Sequence, residues 1–178
     1  MTYVALLRGI NVGGNNIIKM ADLKACFEKN GFTDVVTYIQ SGNVIFSSPE
    51  TKREVLENHL ESILKRTFNY NATVLVRSKT HMEKIIRDTP KDWTVRKDIR
   101  CYVAFIKSPT TAQMVCKETV LKPGIDFIKA GDGVVYMTTL MSGVTKSGFT
   151  KLIGKKIYQN MTMRNFNTTQ KIMALMNN

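Results

Sequence analysis

The stretch VALLRGINVGGNNIIKM, residues 4–20, decides how the fold begins: an apolar run leads into a polar, glycine-bearing loop and then into a helix. Residues 4–7 are short and continuously apolar, which predicts a strand covered on both faces. The loop over residues 9–18 is longer than the roughly 2–6 residues that usually join a strand to a helix, and such loops are more often functional. Two interpretations stay open: a loop that contacts a ligand, or a structural turn.

The glycines of this loop do not form a known phosphate-binding motif. Their positions, 9, 13 and 14, match neither the G-x-G-x-x-G dinucleotide pattern nor the Walker A loop, because no Gly-Lys-Ser/Thr follows. Glycine still allows positive φ and a close approach of the backbone to a ligand. If the loop binds a ligand, the expected contacts are Arg8, Asn11, Gly13, Gly14 and Asn15.

Apolar periodicity over residues 1–89 predicts the order β-α-β-β-α-β, which is the ferredoxin-like or split βαβ arrangement. Two β-rich runs, at residues 35–39 and 44–46, flank a hairpin turn at residues 40–43. The next helix is predicted to open at Ser48-Pro49, with serine as the N-cap and proline at the first helical position. We therefore expect an N-terminal ferredoxin-like portion.

Residues 90–98 are polar apart from Trp93 and Val95, and they are predicted to be a linker. Residues 99–178 repeat the pattern of the first portion, including a second serine-proline helix opening at Ser108-Pro109. The repeat is predicted to be an incomplete β-α-β-β-α unit that ends in two basic C-terminal helices. The expected fold class is therefore α+β, with a second portion related to the first, either in one shared sheet or in two.

The opening phrase LLRGINVGG, residues 6–14, resembles that of an uncharacterised, mostly bacterial family of unknown function, DUF1697. The similarity spans nearly the whole chain, through residues 20–23, 31–32, 37–43 and the closing 164–168, followed by Lys171. Members of the family generally carry tryptophan where this chain has Phe166. The resemblance implies a soluble α+β protein with ferredoxin-like elements, and it implies no established activity or cofactor.

Charge is the strongest feature of the composition. The chain has 26 Lys and Arg against 14 Asp and Glu, a formal net charge of +12. From residue 91 onward there are 14 basic and 5 acidic residues, and no acid follows Asp132. The basic residues of this acid-free segment are Lys146, Lys151, Lys155, Lys156, Arg164 and Lys171. A field of one sign attracts anionic partners, with nucleic acid as the leading candidate. The alternative is a basic surface that only favours solubility.

Three segments share small residues and amides and contain no acids: residues 8–16, 40–43 and 164–169. The first and third strands are neighbours in a ferredoxin-like sheet, so Arg8 and Asn43 are expected at the same edge. Arginine binds phosphate or carboxylate through two parallel hydrogen bonds, and the N-terminus of the final helix would add amides for an anion. Beyond the first loop, the expected ligand contacts are Gln40, Ser41, Asn43, Lys151, Lys155, Lys156, Arg164, Asn165, Asn167 and Thr168. For Asn167 the alternative is a plain helix cap paired with Gln170.

Side chains suited to acid-base catalysis or metal binding are few. The two histidines, His59 and His81, lie in predicted helices and are expected to be exposed or structural. The three cysteines lack a CxxC or Cys/His pairing, which favours reduced core residues over a zinc site. We expect no metal and no cofactor, and we leave open whether the protein is an enzyme.

The opening residues lack the charged and apolar regions of a signal peptide, and no run approaches the roughly 18 apolar residues of a membrane span. We therefore expect a cytoplasmic protein with no membrane partner, whose oligomeric state the sequence leaves open. Three hypotheses follow: a module that binds a polyanion, an enzyme or sensor for a small phosphorylated or carboxylated ligand, or a scaffold without a ligand. The second predicts a closed pocket of about 300–1,000 Å³ with few aromatic residues, at the point where the three loops converge.

Overall fold

The computed structural model describes residues 1–11 and 17–177 of the chain, which divides into two compact units. Unit 1 comprises Met1–Glu83 together with the segment from Lys171 onward, and unit 2 comprises Lys84–Gln170. Gly13, Gly14 and Asn15, three of the predicted contacts, lie outside the described residues. None of the helices in the described ranges is long and apolar enough to cross a membrane.

Unit 1 has the ferredoxin-like order predicted for it. Its elements are β1 (Thr2–Arg8), α1 (Met20–Lys29), β2 (Thr33–Tyr38), β3 (Asn43–Ser47), α2 (Arg53–Phe68) and β4 (Thr73–Ser78), followed by α3 (Lys79–Arg87). The sheet runs β2-β3-β1-β4, and every neighbouring pair is antiparallel. Because β1 and β3 are adjacent central strands, the end of β1 and the start of β3 meet at one edge of the sheet.

The core of unit 1 lies between one face of this sheet and the helices α1 and α2. Ala5 and Leu7 of β1 are fully buried there and belong to the same apolar cluster as Phe46 of β3. Val4 and Leu6, which alternate to the opposite face, are fully buried as well. The predicted strand covered on both faces is therefore confirmed.

Unit 2 repeats the ferredoxin-like strand order in a second sheet. It contains β5 (Ile99–Ile106), α4 (Ala112–Glu118), β6 (Asp126–Ala130), β7 (Val134–Leu140) and β8 (Met161–Asn165), followed by α5 (Phe166–Leu175). Between β7 and β8 lie the 3₁₀ helices Met141–Lys146, Gly148–Leu152 and Lys156–Asn160. The sheet runs β6-β7-β5-β8, so the two portions form two sheets, with short 3₁₀ helices where the ferredoxin-like order has its second helix.

The second unit differs from the sequence-based expectation because β8 completes it. Residues 164–169, predicted to be a polar loop, are the end of β8 followed directly by α5, and the first of the two predicted C-terminal helices is a run of 3₁₀ helices. β8 pairs antiparallel with β5 and places Met161 opposite Ile106. Thr162 and Arg164 are buried along this strand, so alternation of apolar residues does not reveal it.

The serine-proline pairs do not cap the helices that they precede. α2 begins at Arg53, and Ser48 Oγ instead accepts a hydrogen bond from the Glu50 amide at 3.2 Å. α4 begins at Ala112, directly after its N-cap Thr111. In both places a turn intervenes, so the pattern predicts the helix start several residues too early.

Part of the segment predicted as a linker is structured within unit 2. A 3₁₀ helix at Lys91–Thr94 buries Trp93, whose indole Nε1 donates to Thr138 Oγ1 at 2.7 Å. The indole ring packs edge-on against Tyr136 and Phe166, with ring centroids 5.7 and 5.0 Å away. These contacts tie the segment to β7 and to the first residue of α5.

The residue types that commonly bind metals in proteins do not cluster in the described part of the structure. Cys26, Cys101 and Cys116 are free thiols, and the first two are buried. Burial raises the pKa of the Cys101 thiol to about 11, so this group stays protonated at neutral pH. Among residues 1–11 and 17–177, no group of three His, Cys, Asp or Glu side chains could hold a metal ion.

Asp126, at the start of β6, holds three segments of unit 2 together. Its buried carboxylate accepts hydrogen bonds from the amides of Lys122 and Gly148 at 2.9 and 2.7 Å. The hydroxyls of Thr139 and Ser147 donate to it at 2.9 and 2.7 Å. Burial alone would raise the pKa of Asp126, but these hydrogen bonds outweigh it and hold the pKa below its usual value. The charged carboxylate therefore joins the chain after α4 to the segment that opens the 3₁₀ helix Gly148–Leu152.

Asp126→Asn tests this arrangement. The substitution removes the charge that four donors share, so we expect the free energy of unfolding at pH 7 to fall by about 1–3 kcal/mol. The folded-state pKa lies below the unfolded value of about 3.9. The stabilisation is therefore present above that unfolded value and is lost as pH falls through the folded pKa. Urea unfolding curves of wild type and variant should accordingly converge at acidic pH.

Asp34→Asn is the matched control for this experiment. Asp34 is exposed and has a φ of +51°, a conformation that asparagine also tolerates. We expect this variant to keep the pH dependence of wild type. A constant difference between wild type and Asp126→Asn at every pH would contradict the assignment.

Candidate ligand-binding cleft

Two of the three predicted loops meet at one edge of the unit 1 sheet. β1 and β3 run antiparallel with Leu6 opposite Asn43, so the end of β1 at Arg8 lies beside the start of β3. The Leu7 amide donates to the Gly42 carbonyl at 2.8 Å across this edge. The expectation that Arg8 and Asn43 share an edge is confirmed.

Hydrogen bonds of the Asn11 side chain connect the first of these loops to the second. Its Nδ2 donates to the backbone carbonyls of Ile18 and Gln40, each at 3.0 Å, and to the Gln40 side-chain oxygen at 3.3 Å. Its Oδ1 accepts from the Ile18 amide at 2.8 Å. With a φ of +54°, Asn11 adopts a left-handed conformation in which asparagine is enriched. The Asn11 side chain is thus occupied in closing the loop.

The Asn43 side chain likewise forms hydrogen bonds that close the second loop. It is fully buried, and its Nδ2 donates to the Tyr38 carbonyl at 2.9 Å and to Ser41 Oγ at 3.1 Å. These contacts favour the structural-turn interpretation for both loops. Ligand contact by the residues of this edge stays a prediction.

Arg164, the predicted guanidinium of the third loop, is buried in unit 2 with 7% of its surface exposed. Its Nη1 donates to Thr162 Oγ1 at 2.8 Å and to the Met163 carbonyl at 3.0 Å. These partners hold the side chain against its own strand. Arg8 belongs to unit 1, and the predicted convergence of the three loops stays a prediction.

The remaining residues of the third loop form the start of α5. Asn165 Oδ1 accepts from the Asn167 amide at 2.9 Å, so the cap of the helix is Asn165 and not Asn167. Asn165 and Asn167 are exposed and Thr168 is half-buried. The cap thus uses one of the amides that an anion would need at this helix start.

The cavity that collects basic side chains lies in unit 2, along one face of α4. It has a volume of about 550 Å³. One wall is formed by α4 and the residues just before it, and it contributes Pro109, Thr110, Met114, Lys117 and Glu118. The other wall is formed by the last 3₁₀ helix and the residue before it, and it contributes Lys155, Lys156, Ile157 and Asn160. We call this cavity the lysine cleft.

Two bridges join the walls of the lysine cleft. At the C-terminal end of α4, Lys155 Nζ pairs with Glu118 Oε2 at 2.9 Å and also donates to the Glu118 carbonyl. Before the N-terminal end of α4, Asn160 Nδ2 donates to Thr110 Oγ1 at 3.1 Å. The β5–β8 pairing fixes this second bridge, because Asn160 directly precedes β8 and its carbonyl accepts from the Lys107 amide at 2.8 Å. The two walls are therefore held together near both ends of α4.

The lysine cleft carries an excess of positive charge. Lys155 is paired with Glu118, which is the one acidic residue of the lining. Across the described ranges, neither Lys117 nor Lys156 forms an ion pair with a carboxylate, and both are exposed. Two exposed ammonium groups beside apolar walls produce a local positive potential that attracts an anion.

Other cavities differ in charge. One of about 530 Å³ in unit 1 is lined by Lys24, Glu28 and Asp34, a net negative set in which Lys24 lies 3.7 Å from Glu28. One of about 220 Å³ in unit 2 is lined by Asp92, Arg96 and Lys129, a net charge of +1, and Arg96 Nη2 lies 2.6 Å from Asp98 Oδ2. Of these three cavities, the lysine cleft has the largest excess of basic side chains, three lysines against one glutamate.

Two of the predicted contacts line the lysine cleft, and both lie on one of its walls. Lys155 and Lys156 are predicted contacts that line it, whereas Lys151 is exposed on the 3₁₀ helix Gly148–Leu152 and outside the lining. Met114 and Lys117 were not predicted. They are three residues apart on α4, a spacing that places both side chains on one face, and this spacing is the signal that could have found them.

Comparison with known proteins agrees with the architecture and brings no ligand. A family model described as "Protein of unknown function (DUF1697)" matches residues 1–136. Among solved structures, the conserved bacterial protein SP0830 from Streptococcus pneumoniae is similar over 98% of this chain and 98% of its own, with a TM-score of 0.86 and 25% identity. A search of the curated proteins gives no match.

Gly42→Ala tests whether the unit 1 edge is a packed turn. Gly42 has a φ of +74°, and a Cβ there would clash with the Ile10 side chain and lie 2.9 Å from Leu7 Cβ. We expect the left-handed conformation to cost about 1–2 kcal/mol and the overpacking a further 1–3 kcal/mol or so. Urea unfolding measures the sum.

Gly31→Ala separates the two contributions. Gly31 has a φ of +86°, and no atom lies within 4 Å of the point that a Cβ would occupy there, so only the conformational cost applies. Gly42→Ala should therefore destabilise the protein more than Gly31→Ala does. Equal losses of stability in the two variants would show that the edge has room for a side chain and is not packed as described.

Proposed function

This chain belongs to the DUF1697 family of proteins of unknown function, and we propose that it binds a small phosphorylated or carboxylated ligand in the lysine cleft of unit 2. One observation carries the proposal: two lysines without a carboxylate partner, Lys117 and Lys156, line a cavity of about 550 Å³. That volume lies within the range of about 300–1,000 Å³ typical of small-molecule sites. The lining contains no aromatic residue, and it lies at residues 109–118 and 155–160 rather than at the three loops where the sequence placed a pocket for such a ligand.

The two bridges support a compact ligand over a long polymer. From Thr110 to Glu118 the chain makes two extended steps of about 3.3 Å and six helical steps of about 1.5 Å, which together span at most roughly 16 Å. The Asn160–Thr110 bridge and the Lys155–Glu118 bridge bound this length. A ligand lying along the cleft is therefore limited to a comparable size.

The chemistry of the lining supports binding and gives no catalytic group. A lysine ammonium is a compact charge with three donors, which suits the oxygens of a phosphate or a carboxylate. Glu118, the only carboxylate of the lining, is held in its ion pair with Lys155. We therefore propose a binding or sensing role in which the two lysines anchor the anion.

A polyanion such as nucleic acid is the second candidate, and one observation favours it. No acid follows Asp132, and Lys146, Lys151 and Lys156 are exposed in this segment. A polyanion would contact this surface broadly, and its affinity would fall steeply with salt as counterions are released on binding.

Charge removal at the cleft distinguishes the two candidates. We expect Lys117→Gln/Lys156→Gln to weaken binding of a sugar phosphate by about tenfold or more, since a tenfold change corresponds to about 1.4 kcal/mol and charge-assisted hydrogen bonds contribute more than neutral ones. Isothermal titration calorimetry measures the change. Lys146→Gln/Lys151→Gln, which removes the same charge outside the cleft, is the matched control and should bind as wild type does.

Labelled single- and double-stranded oligonucleotides complete the comparison. If both double variants weaken oligonucleotide binding equally and no small anion binds, the polyanion candidate replaces the small-ligand proposal. If wild type binds neither kind of anion at low salt, both candidates fail.

A further inference from the structure

Each wall of the lysine cleft combines a basic side chain with a large apolar one. On α4, Met114 and Lys117 are three residues apart and lie on one face of the helix. On the opposite wall, Lys156 and Ile157 are consecutive residues of the last 3₁₀ helix. Each wall thus offers one ammonium group without a carboxylate partner and one large apolar side chain to the same cavity.

The apolar side chains that line the cleft keep much of their surface exposed to solvent. Met114 keeps 49% of its surface accessible although it sits beside a concave surface, and Pro109 is exposed at the entrance to α4. Ile157 is half-buried, with its inner side against the core of unit 2. The methylene stems of the lysines extend this apolar surface. An occupant that covered Met114 and Ile157 would remove apolar surface from water.

Two pairs of polar groups in the cleft already bond each other across its walls. Asn160 Nδ2 bonds Thr110 Oγ1, and Lys155 bonds Glu118. A sugar ring would therefore find few partners for its hydroxyls. A nucleobase would find no aromatic ring to stack on, since none lines the cleft.

We infer that the occupant of the lysine cleft is an anionic amphiphile: a phosphate or carboxylate head on an aliphatic chain. This inference rests on the proposed function, because it assigns the anion to Lys117 and Lys156 and adds a chain that lies over Met114 and Ile157. Methionine suits this role because its flexible, polarizable side chain adapts to apolar ligands of different shape. The bounded length of the cleft restricts the chain to a short or medium one.

Titration with a matched series of anions tests the inference. Inorganic phosphate, a sugar phosphate, butyl phosphate, octyl phosphate and nonanoate, whose alkyl chain matches that of octyl phosphate, are compared by calorimetry below the concentrations at which they form micelles. Each methylene buried in the cleft should tighten binding by up to about fourfold. We therefore expect octyl phosphate to bind at least about tenfold tighter than butyl phosphate or the sugar phosphate.

Methionine substitutions provide the internal control. Met114→Gln should reduce the gain between butyl and octyl phosphate and leave the affinity for inorganic phosphate unchanged. Met141→Gln is the matched variant, because Met141 is exposed to the same degree, 48% against 49%, and does not line the cleft. It should bind every member of the series as wild type does.

The outcomes separate this inference from the proposed function. If the sugar phosphate binds as tightly as octyl phosphate, the inference of an amphiphilic ligand is wrong, and the proposed small-anion site is retained. If no member of the series binds to saturation, both are wrong. If octyltrimethylammonium binds as tightly as octyl phosphate, the anionic head is wrong. Tighter binding of octyl phosphate than of nonanoate identifies a phosphate head, the reverse identifies a carboxylate head, and either supports the inference.

Discussion

The geometry of unit 2 depends on one buried carboxylate. Asp126 accepts amide hydrogen bonds from Lys122 and Gly148, which lie on the chain after α4 and at the start of a 3₁₀ helix. A Cβ on Gly148 would clash with the Val120 carbonyl, so only glycine lets these two segments approach this closely. One segment leads back to the first wall of the lysine cleft, and the other leads on to the second. The hydrogen bonds that lower the pKa of Asp126 thus also fix the chain four residues after the first wall and seven residues before the second.

The lysine cleft follows from this constraint and from the pairing of β5 with β8. The strand pairing brings Asn160 to Thr110, while the 3₁₀ helices bring Lys155 to Glu118. The Lys155–Glu118 pair is partly exposed, and such pairs contribute only about 0–1 kcal/mol to stability. Its consequence is electrostatic: it neutralises the one acid of the lining. The positive potential of the cleft then comes from the two lysines that face it without a carboxylate partner.

Much of the fold could be predicted from local pattern. The buried strand at the start of the chain, the hairpin glycine at residue 42 and the ferredoxin-like order of unit 1 all depend on neighbouring residues. β8 was missed because Thr162 and Arg164 are buried along it and break the apolar alternation. The site was only half predicted for a related reason. Lys156 belongs to an acid-free segment, so its excess charge is visible in the sequence. Lys117 lies next to Glu118 in sequence, and its charge is uncompensated only because Glu118 pairs with Lys155 in the structure.

Asparagine-rich loops gave the sequence its strongest functional signal, yet in the structure Asn11 and Asn43 close the turns that contain them. The central claim is therefore that an anion binds in unit 2, in the lysine cleft. Amide NMR spectra recorded during titration with octyl phosphate test it most directly. The account predicts saturable shifts concentrated at residues 109–118 and 155–160, with residues 8–11 and 40–43 unchanged. Shifts that are largest at residues 8–11 and 40–43, or spread over the whole basic surface, would contradict it.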